Sequence, residues 1–546
     1  MSSDQSPLLS VENLTVDFHS ANGAFRATED VSFSVQAGET LVILGESGSG
    51  KSVSASAIMG LIDTPPGEIV TGILSYRGRD ITALSEPDRR AINGCKIAMI
   101  FQDPLSHLNP VYTIGWQLAE VFTAHKKATR AQARQKSIEI LRRVGLPDPE
   151  LRIDWYPHQF SGGQRQRIMI GMAIALGPEL LIADEPTTAL DVSVQAQILE
   201  LLKDLQREEG LGIIMITHDL EVAANMADRI VVMKNGKIVE QGEARKVFDT
   251  PEHAYTRQLM GALPEHSDLK GPERGGADAP ILTVSHLSKS YTLSPGLFGS
   301  ERILNAVDDV SFTLKRGETL GIVGESGSGK STIARMLLRL TDATSGEALF
   351  HGKDVMKLEG RELLAFRRRA QMVFQDPYSS MNPRMNVFSI IAEPWKIHKD
   401  ILAKSEWRDR VAELLALVGL NADHANRYPH QFSGGQRQRI AIARALACDP
   451  ELLVCDEAVS ALDVSIQMQI IELLGDLRDR LGLSYIFITH DLPIVRNFAD
   501  RIMVMKSGKV VEQSRTDALF GAPQDDYTRT LIEAAPKPKW EAASAA

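Results

Sequence analysis

Two glycine-rich segments with the same sequence have the residue types and spacing of a phosphate-binding loop. GESGSGKS occurs at residues 45–52 and again at residues 324–331. In the pattern GxxxxGK[ST], glycines allow successive backbone N–H groups to converge on phosphate oxygens. The lysine places a cation at the terminal phosphates, and the hydroxyl that follows it can bind Mg²⁺. Two matches in one chain make chance negligible, so the sequence predicts two sites for nucleotide phosphates.

Each of these loops lies between a short apolar run and a segment with a helical pattern. The apolar runs cover residues 40–44 and 319–323. They predict a strand, a loop and a helix, and the N-terminal dipole of that helix would favour a bound phosphate. The predicted nucleotide ligands are Gly45, Ser47, Gly48, Gly50, Lys51, Ser52 and Val53 in the first loop, and Gly324, Ser326, Gly327, Gly329, Lys330, Ser331 and Thr332 in the second.

A pair of acidic residues ends a second apolar run in each half. The first acid suits the Mg²⁺ shell, and the second suits a carboxylate that positions and polarises the attacking water in phosphoryl transfer. An acid pair after a strand is usually a helix cap, but a phosphate loop upstream favours the catalytic interpretation. The pairs are Asp184 and Glu185 after residues 180–183, and Asp456 and Glu457 after residues 452–455.

The tetrapeptide SGGQ precedes a helical pattern in each half. A serine and two glycines at a helix N-terminus expose N–H groups and form a second anion-binding surface. A lone SGGQ would be interpreted as a plain serine N-cap, but here FQDP, SGGQ, DE, ALD and TH occur twice in the same order. The predicted ligands are Ser161, Gly162, Gly163 and Gln164, and Ser433, Gly434, Gly435 and Gln436.

These repeated motifs belong to a duplication of the whole unit. YPHQFSGGQRQR occurs at residues 156–167 and 428–439, an offset of 272 residues. The tails AYTRQLMGALP, from Ala254, and DYTRTLIEAAP, from Asp526, keep this offset. We therefore expect one domain at residues 1–265 and another at 281–546, joined by a Gly-, Pro- and charge-rich linker at 266–280. Such a linker would hold the halves at a high effective concentration.

Alternating strand and helix patterns predict α/β domains, each with a mostly parallel sheet and helices on both faces. One helix is marked by an apolar stripe at i, i+3, i+4 and i+7, followed by Gly419 as a stop signal. Its residues are Val411, Leu414, Leu415 and Val418. We interpret this stripe as core packing.

Composition excludes several other classes of protein. Lys and Arg number 60 against 70 Asp and Glu, a net charge of −10 that argues against a protein coating nucleic acid. The three cysteines, Cys95, Cys448 and Cys455, form no CxxC pair, so we expect reduced and mostly buried thiols. No uncharged apolar run approaches the roughly 20 residues needed to span a bilayer. A membrane role would therefore require a partner.

The ordered set of motifs resembles the ATPase domain of ABC transporters, and the resemblance covers nearly the whole chain. It implies two tandem P-loop NTPase domains of the ABC type, each with an antiparallel β subdomain and a helical subdomain. It also implies ATP and Mg²⁺ as ligands. The implied roles are Walker A lysine for Lys51 and Lys330, catalytic glutamate for Glu185 and Glu457, Q-loop glutamine for Gln102 and Gln375, switch histidine for His218 and His490, D-loop aspartate for Asp191 and Asp463, and Mg²⁺ ligand for Ser52, Gln102, Asp184, Ser331, Gln375 and Asp456.

In this family two domains pair head to tail, and each ATP lies between the Walker A loop of one domain and the SGGQ signature of the other. The resemblance thus implies one site with Lys51, Glu185 and His218 opposite residues 433–436, and one with Lys330, Glu457 and His490 opposite residues 161–164. Neither copy lacks a key residue, so we expect two competent sites. Phe18 and Tyr291 are the candidates to stack on adenine.

Two further features resemble the ATPases of di- and oligopeptide importers. DPLSHLNPVYTIGWQLAE and DPYSSMNPRMNVFSIIAEP resemble their LNP-containing stretch, and the two tails resemble their C-terminal extension. Many relatives carry a cysteine patch there that holds an iron–sulfur cluster, but neither tail has a cysteine, so no cluster is predicted. A proline is replaced by Ala458 in DEAVSALD, outside the chemistry, and we expect little effect.

The importer resemblance implies ATP-driven uptake of di- or oligopeptides at two composite sites. The implied partners are two integral-membrane permease subunits, contacted through the groove between the Q-loop and the helical subdomain. An extracytoplasmic solute-binding protein would act indirectly, and no nucleic acid is expected. The chain would be peripheral, at the cytoplasmic face of the inner membrane.

Other twin-domain ATPases are alternatives. A soluble translation factor acting on ribosomes has two such domains in about this length, but it characteristically has a long, charged helical linker, whereas the connector here spans residues 266–280. A DNA-repair ATPase would need an inserted coiled coil or zinc-binding cysteines, and a sugar-importer twin commonly has one degenerate half. An importer of a non-peptide solute such as a nickel chelate stays open.

Overall fold

The computed structural model describes residues 6–20, 23–188, 190–261, 280–293, 302–376, 378–460 and 462–534. The chain divides into two compact units, one containing the described residues up to 261 and the other those from 280 to 534. The predicted linker at residues 266–280 lies outside the described residues except for Pro280, as do the last residues of both tail motifs. The domain limits 1–265 and 281–546 therefore stay a prediction.

The first unit begins with antiparallel strands and then alternates strands with helices. Its strands are β1 Leu9–Ser20, β2 Gly23–Val35, β3 Thr40–Leu44, β4 Gly67–Tyr76, β5 Arg79–Asp80, β6 Ile97–Ile100, β7 Leu180–Asp184, β8 Gly212–Thr217, β9 Arg229–Lys234 and β10 Lys237–Glu243. Its helices are α1 Lys51–Met59, α2 Glu86–Ile92, α3 Pro104–His107, α4 Ile114–Ala124, α5 Arg130–Arg143, α6 Pro149–Arg152, α7 Gly162–Ile174, α8 Val192–Glu209, α9 Leu220–Met226, α10 Ala244–Asp249 and α11 Ala254–Met260.

The second unit repeats this order. Its strands are β11 Leu282–Leu293, β12 Arg302–Leu314, β13 Thr319–Val323, β14 Ser345–Phe350, β15 Lys353–Asp354, β16 Ala370–Val373, β17 Leu452–Asp456, β18 Ser484–Ile488, β19 Arg501–Lys506 and β20 Lys509–Arg515. Its helices are α12 Lys330–Leu337, α13 Gly360–Arg369, α14 Val387–Ile391, α15 Glu393–Ile397, α16 Trp407–Leu417, α17 Gly434–Leu446, α18 Val464–Leu481, α19 Leu492–Phe498, α20 Thr516–Gly521 and α21 Asp526–Glu533.

A six-stranded, mostly parallel sheet supports each predicted phosphate loop. The strand order is β10-β9-β3-β8-β7-β6 in the first unit, and β20-β19-β13-β18-β17-β16 in the second. Strands β3 and β7 are buried along their whole length, which explains their continuous apolar sequence. Because β3, β8 and β7 are parallel neighbours, the loops that follow them all leave the same edge of the sheet.

A second, antiparallel sheet packs against the helix that follows each phosphate loop. Its strand order is β2-β1-β4-β5 in the first unit and β12-β11-β14-β15 in the second. In the first unit, Leu9, Val16 and Val31 from this sheet share a core with Ile43 of β3 and Ile58 of α1. The predicted antiparallel subdomain is therefore present, and it shares a core with α1 and the parallel sheet.

The predicted helical stripe lies in a core built from the helices between β16 and β17. Val411, Leu414, Leu415 and Val418 are all buried there, in contact with the cluster formed by α14 and α17. Helix α16 ends at Leu417, and Gly419 has a φ of 73°, a left-handed conformation that favours glycine. The predicted fold, with parallel sheet, antiparallel subdomain and helical subdomain in each half, is confirmed.

All three cysteines are unpaired thiols. Cys448 and Cys455 are buried, and Cys95 is half-buried with its Sγ 3.2 Å from Nδ1 of His125. Burial raises the pKa of Cys448 to about 11 and that of Cys455 further. Both buried groups are therefore protonated thiols at neutral pH.

Within the described ranges, no helix combines the length and the apolar character that crossing a bilayer requires.

A carboxylate just before β7 joins separate parts of the first unit. Glu179 accepts hydrogen bonds from Lys96 Nζ and from Arg77 Nε, both at 2.6 Å. Burial raises the pKa of Glu179, but these cationic partners outweigh it and lower the pKa to about 2. In the second unit Glu451 has the same position and binds Arg369. The carboxylate thus links the antiparallel subdomain to the parallel sheet.

We predict that Glu179→Gln destabilises the first unit by about 1–2 kcal/mol at pH 7, allowing for partial exposure of the side chain. Because the folded state lowers the pKa of Glu179 from 4.5 to about 2, this stabilisation is complete above pH 4.5 and is lost as pH falls towards 2. Urea unfolding at pH 7 and at pH 3 measures both effects.

The control for this change is Glu86→Gln, since Glu86 pairs with Arg90 at the surface and both side chains are more than 80% exposed. We expect no measurable loss for the control. Equal unfolding free energies for the two variants at pH 7 would contradict the linking role of Glu179.

Candidate functional site

The predicted phosphate loop of each unit follows the central strand and leads into a helix. The loop joins β3 to α1 in the first unit and β13 to α12 in the second. Gly50 has a φ of 97°, and a Cβ placed on it would lie 2.6 Å from the carbonyl oxygen of Ala27. Gly329 repeats both features, with a φ of 103° and a distance of 2.3 Å to the oxygen of Ala306. Only glycine fits these two positions.

The predicted phosphate-binding lysine of each loop is buried and donates to the carbonyl groups of its own loop. Lys51 Nζ donates to the oxygen of Gly45 at 2.7 Å and to that of Glu46 at 2.8 Å. Lys330 makes the same two contacts in the second loop, at 2.7 and 2.9 Å. The ammonium group therefore lies inside the curve of the loop, where backbone N–H groups converge.

The predicted metal ligands Ser52 and Asp184 contact each other. Ser52 Oγ donates to Asp184 Oδ1 at 3.1 Å, and Ser331 Oγ donates to Asp456 Oδ1 at 2.7 Å. Burial raises the pKa of Asp184 to about 6, against the lowering effect of the Ser52 hydrogen bond. The described residues contain no group of three or more His, Cys, Asp or Glu that could hold a metal. One hydroxyl and one carboxylate fit Mg²⁺, which takes few protein ligands and keeps several waters.

The predicted catalytic glutamate of the first unit lies at the centre of a polar cluster. Glu185 accepts hydrogen bonds from Gln102 Nε2 at 2.6 Å and Thr188 Oγ1 at 2.9 Å, and it lies 3.0 Å from His218 Nδ1. Its φ of 47° is left-handed, which is uncommon for a residue other than glycine. The backbone N–H of Glu185 donates to Ile216 on β8, and this contact holds the strained residue in place.

The two acids of the pair have pKa values shifted in opposite directions. Burial raises the pKa of Glu185 as it does that of Asp184, but the hydrogen bond with His218 and nearby Lys51 outweigh it and lower the pKa of Glu185 to about 2. Glu185 is therefore ionised at neutral pH, and its carboxylate can orient water as a hydrogen-bond acceptor. Neighbouring carboxylates with separated pKa values are a mark of divided catalytic roles.

The second unit builds the same cluster with a difference in contacts. Gln375 Nε2 donates to Glu457 Oε2 at 2.6 Å, but His490 Nδ1 is 3.6 Å from Glu457 Oε1. Ser460 occupies the position of Thr188, and its Oγ donates to the backbone oxygen of Glu457 at 3.0 Å instead of to the carboxylate. Ser460 therefore does not give the carboxylate of Glu457 the contact that Thr188 gives that of Glu185.

This difference between the two clusters was not among the predictions. In DEAVSALD, the counterpart of DEPTTALD, only Ala458 was singled out from the sequence, with little effect expected. Ala458 is buried and is not one of the polar residues around Glu457. The replacement of Thr188 by Ser460 was visible in the same octapeptide, and it is the change that reaches the glutamate.

The two SGGQ segments start helix α7 in the first unit and helix α17 in the second. Ser161 is exposed and forms a capping box with Gln164, at 3.4 and 3.2 Å. Gly163 packs against α8, because a Cβ there would lie 2.3 Å from Cγ1 of Val194. Gly435 packs in the same way in the second unit. This packing function of the glycine was also not predicted.

The remaining candidates occupy other positions in each unit. Asp191 and Asp463 are the N-cap residues of α8 and α18. Phe18 is half-buried on β1, and Tyr291 is 40% exposed on β11 with Lys289 Nζ 5.0 Å from its ring centroid. Their function in binding adenine stays a prediction. The other predicted phosphate ligands lie in the loops and first helical turns, at Ser47, Gly48, Val53, Ser326, Gly327 and Thr332.

Comparison with known families agrees with this geometry. The family described as ABC transporter matches residues 28–188 and 307–460, which cover both phosphate loops and both acid pairs. The chain belongs to the ABC transporter family. A second match, described as the C-terminal region of oligopeptide/dipeptide transporters, covers residues 239–285 and 511–545 of this ABC protein. The predicted twin ATPase domains and C-terminal extensions are therefore confirmed.

Similar proteins match this ABC protein along nearly its full length. The peptidoglycan transport ATP-binding protein YejF of Agrobacterium fabrum is 46% identical, over 97% of this chain and 96% of the relative. The glutathione import ATP-binding protein GsiA of Escherichia coli O157:H7 is also 46% identical, over 98% of this chain and 90% of the relative. The chain is accordingly an ATP-binding protein and an ATPase of the ABC type.

We predict that Glu185→Gln or Glu457→Gln alone lowers ATPase activity by more than half, and that the double variant lowers it by about 100-fold or more. The amide preserves the shape of the side chain but cannot polarise the attacking water as a carboxylate does. Phosphate release at saturating MgATP measures the effect.

The control is Glu208→Gln, which removes a surface ion pair with Arg143 and should leave turnover unchanged. Wild-type turnover in either catalytic variant would contradict the assigned function of that glutamate.

Proposed function

We propose that this chain uses ATP hydrolysis to drive the uptake of di- or oligopeptides through separate permease subunits. The observation that carries the proposal is a complete phosphate loop and glutamate cluster in each unit, followed in each by an oligopeptide/dipeptide transporter C-terminal region. The similarity to proteins named for glutathione import and peptidoglycan transport supports a solute that contains peptide bonds.

We assign the chemical work to a small set of side chains in each unit. In the first unit, Lys51 and the loop N–H groups would bind the phosphates, and Ser52 with Asp184 would hold Mg²⁺. The metal would neutralise phosphate charge when bound. Glu185 would then orient and polarise the attacking water, because its carboxylate is ionised and is held by Gln102.

The permease contact is proposed for a cavity of about 770 Å³ in the second unit. Leu364 and Ile397 line it and are 39% and 59% exposed. Such exposed apolar side chains beside a groove suit the apolar face of an amphipathic helix. We assign this cavity to a cytoplasmic helix of a permease subunit.

The position of the cavity connects it to the catalytic glutamate. Phe374 lines the cavity, and the next residue, Gln375, donates to Glu457 at 2.6 Å. Arg444 also lines the cavity, and it donates to the carbonyl oxygen of Ser380 at 2.6 Å. This hydrogen bond holds the segment that follows Gln375. Movement of a bound helix would therefore be transmitted to the glutamate through a single short segment.

The same assignment predicts the location of the protein. A chain that binds permease helices would be peripheral, at the cytoplasmic face of the inner membrane. A solute-binding protein outside the membrane would deliver the solute to the permeases and would have no direct contact with this chain.

We predict that Leu364→Asp with Ile397→Asp lowers the share of the protein recovered with membranes, because a charged group would be desolvated under the permease helix. The ATPase activity of the isolated chain should stay within about twofold of the wild type. Sedimentation of membranes from cells that express the permeases measures the share bound.

Leu481→Asp is the matched control, since Leu481 is 48% exposed at the end of α18 and does not line the cavity. Membrane recovery equal to that of the control would contradict the assignment of the cavity.

The solute class is tested by uptake in cells. We predict that deletion of the gene lowers the uptake of radiolabelled di- and tripeptides, and that the wild-type chain restores it while the double variant Glu185→Gln, Glu457→Gln does not. Restoration by the variant would contradict ATP-driven transport.

Two further measurements separate the alternatives. Loss of labelled nickel-chelate uptake with normal peptide uptake would favour a non-peptide importer. Co-sedimentation of the chain with ribosomes, and not with membranes, would favour a translation factor.

A further inference from the structure

A tyrosine of the C-terminal extension contacts the phosphate loop in the first unit. Tyr255 is the second residue of α11 and is 4% exposed. Its hydroxyl oxygen accepts a hydrogen bond from the backbone N–H of Glu46 at 3.3 Å. Glu46 is the second residue of the phosphate loop, so the contact joins the C-terminal extension to that loop.

The second unit repeats this contact in a different local sequence. The hydroxyl of Tyr527, on α21, accepts a hydrogen bond from the backbone N–H of Glu325, also at 3.3 Å. The helices read AYTRQLM and DYTRTLIE, so several side chains around the tyrosine differ. The contact is therefore present in both copies of the duplicated unit.

A lysine orients each tyrosine ring. Lys234 Nζ lies 4.2 Å from the ring centroid of Tyr255, and Lys506 Nζ lies 4.4 Å from that of Tyr527. These are cation–π distances. The lysines are the last residues of β9 and β19, the strands that pair with the central strand of each sheet. The ring is therefore held by the same sheet that supports the phosphate loop.

The extension helix is also fastened at its start. On β10, Glu240 accepts hydrogen bonds from the backbone N–H groups of Glu252 and His253, at 2.8 and 3.0 Å. On β20, Glu512 accepts two equivalent bonds at 3.0 Å each. Although burial raises the pKa of Glu240, these N–H groups keep it below its usual value, so the carboxylate is ionised and the bonds are charge-assisted.

The residue that the tyrosine holds is also a partner of the phosphate-loop lysine. The carbonyl oxygen of Glu46 accepts from Lys51 Nζ at 2.8 Å, while its N–H donates to Tyr255. The preceding Gly45 is confined as well, since a Cβ on it would lie 2.3 Å from the oxygen of Met233. The N–H and the carbonyl oxygen of Glu46 are both held by hydrogen bonds. The carbonyl oxygen that accepts from Lys51 Nζ is therefore fixed, and it positions the ammonium group.

We propose that Tyr255 and Tyr527 are positioning residues of the two ATP sites, through which the C-terminal extension sets nucleotide affinity. The inference rests on the phosphate-loop assignment made under the proposed function. The extension then contributes to nucleotide binding by the ATPase domain that precedes it. A partner that pulled the extension away from the loop would weaken nucleotide binding without touching the glutamate cluster.

The test is the double variant Tyr255→Phe, Tyr527→Phe in the full-length chain. Phenylalanine keeps the ring against the lysine and removes only the hydroxyl. We expect the Kd for ADP, measured by calorimetry, to rise about 3- to 10-fold, the range for one lost hydrogen bond. The KM for MgATP should rise in parallel, while kcat at saturating MgATP stays within about twofold, because the glutamate cluster is intact.

Tyr485→Phe is the matched control for loss of a buried tyrosine hydroxyl. Tyr485 donates to the oxygen of Leu474 at 3.1 Å, near the start of β18 and at the opposite end of the sheet from the loop. ADP affinity should be unchanged in this variant. A loss equal to that of the double variant would overturn the proposal, because it would show a general response to a removed hydroxyl.

The single variants provide a second measurement that does not need the double variant to fold. Each should weaken one of two ADP-binding events and leave the other at the wild-type affinity. Unchanged affinity for both events in both single variants would overturn the proposal.

The double variant Lys51→Ala, Lys330→Ala separates the tyrosine function from the phosphate-loop assignment. Loss of ADP binding in this variant, with unchanged affinity in the tyrosine variants, would overturn the tyrosine function alone. Wild-type ADP binding in the lysine variant would overturn the phosphate-loop assignment, and the tyrosine function with it.

Discussion

A buried cation determines the geometry of each half of this ABC protein. The ammonium group of Lys51 is removed from water, and such a group is costly to bury unless polar atoms surround it. The carbonyl oxygens of Gly45 and Glu46 meet that need only if the loop curls around the side chain. The curl in turn requires glycine at Gly50, a strand in the centre of the sheet and a helix that starts at the lysine itself. Much of the architecture of each unit can be derived from this one requirement.

The glutamate cluster depends on the same sheet. Strands β3, β7 and β8 end side by side, so the phosphate loop, the acid pair and His218 meet although they are far apart in sequence. Burial raises the pKa of both acids of the pair. The contacts of Glu185 with His218 and Thr188, and the nearby Lys51, lower the pKa of that residue, so the two adjacent carboxyl groups have pKa values shifted in opposite directions.

The sequence predicted the elements well, because local patterns report local structure. Strand β3 has the predicted limits, and β7 is longer than its apolar run only by Asp184. The left-handed backbone of Glu185 and the packing of Gly163 against α8 were not predicted, since neither leaves a periodic signal. The contact between Tyr255 and Glu46 was not predicted either, because a sequence motif does not indicate which distant segment it contacts in the fold.

Joining the two copies in one polypeptide has a consequence for how its enzymology is measured. The hydroxyl that reaches the carboxylate of Glu185 comes from Thr188, whereas Ser460 turns to the backbone of Glu457. Two separate chains could assemble as like pairs, but a fused chain always contains one centre of each kind in a fixed ratio. A bulk turnover number for this molecule would therefore average over two glutamate clusters with unlike contacts, and variants that disable one cluster at a time would separate their contributions.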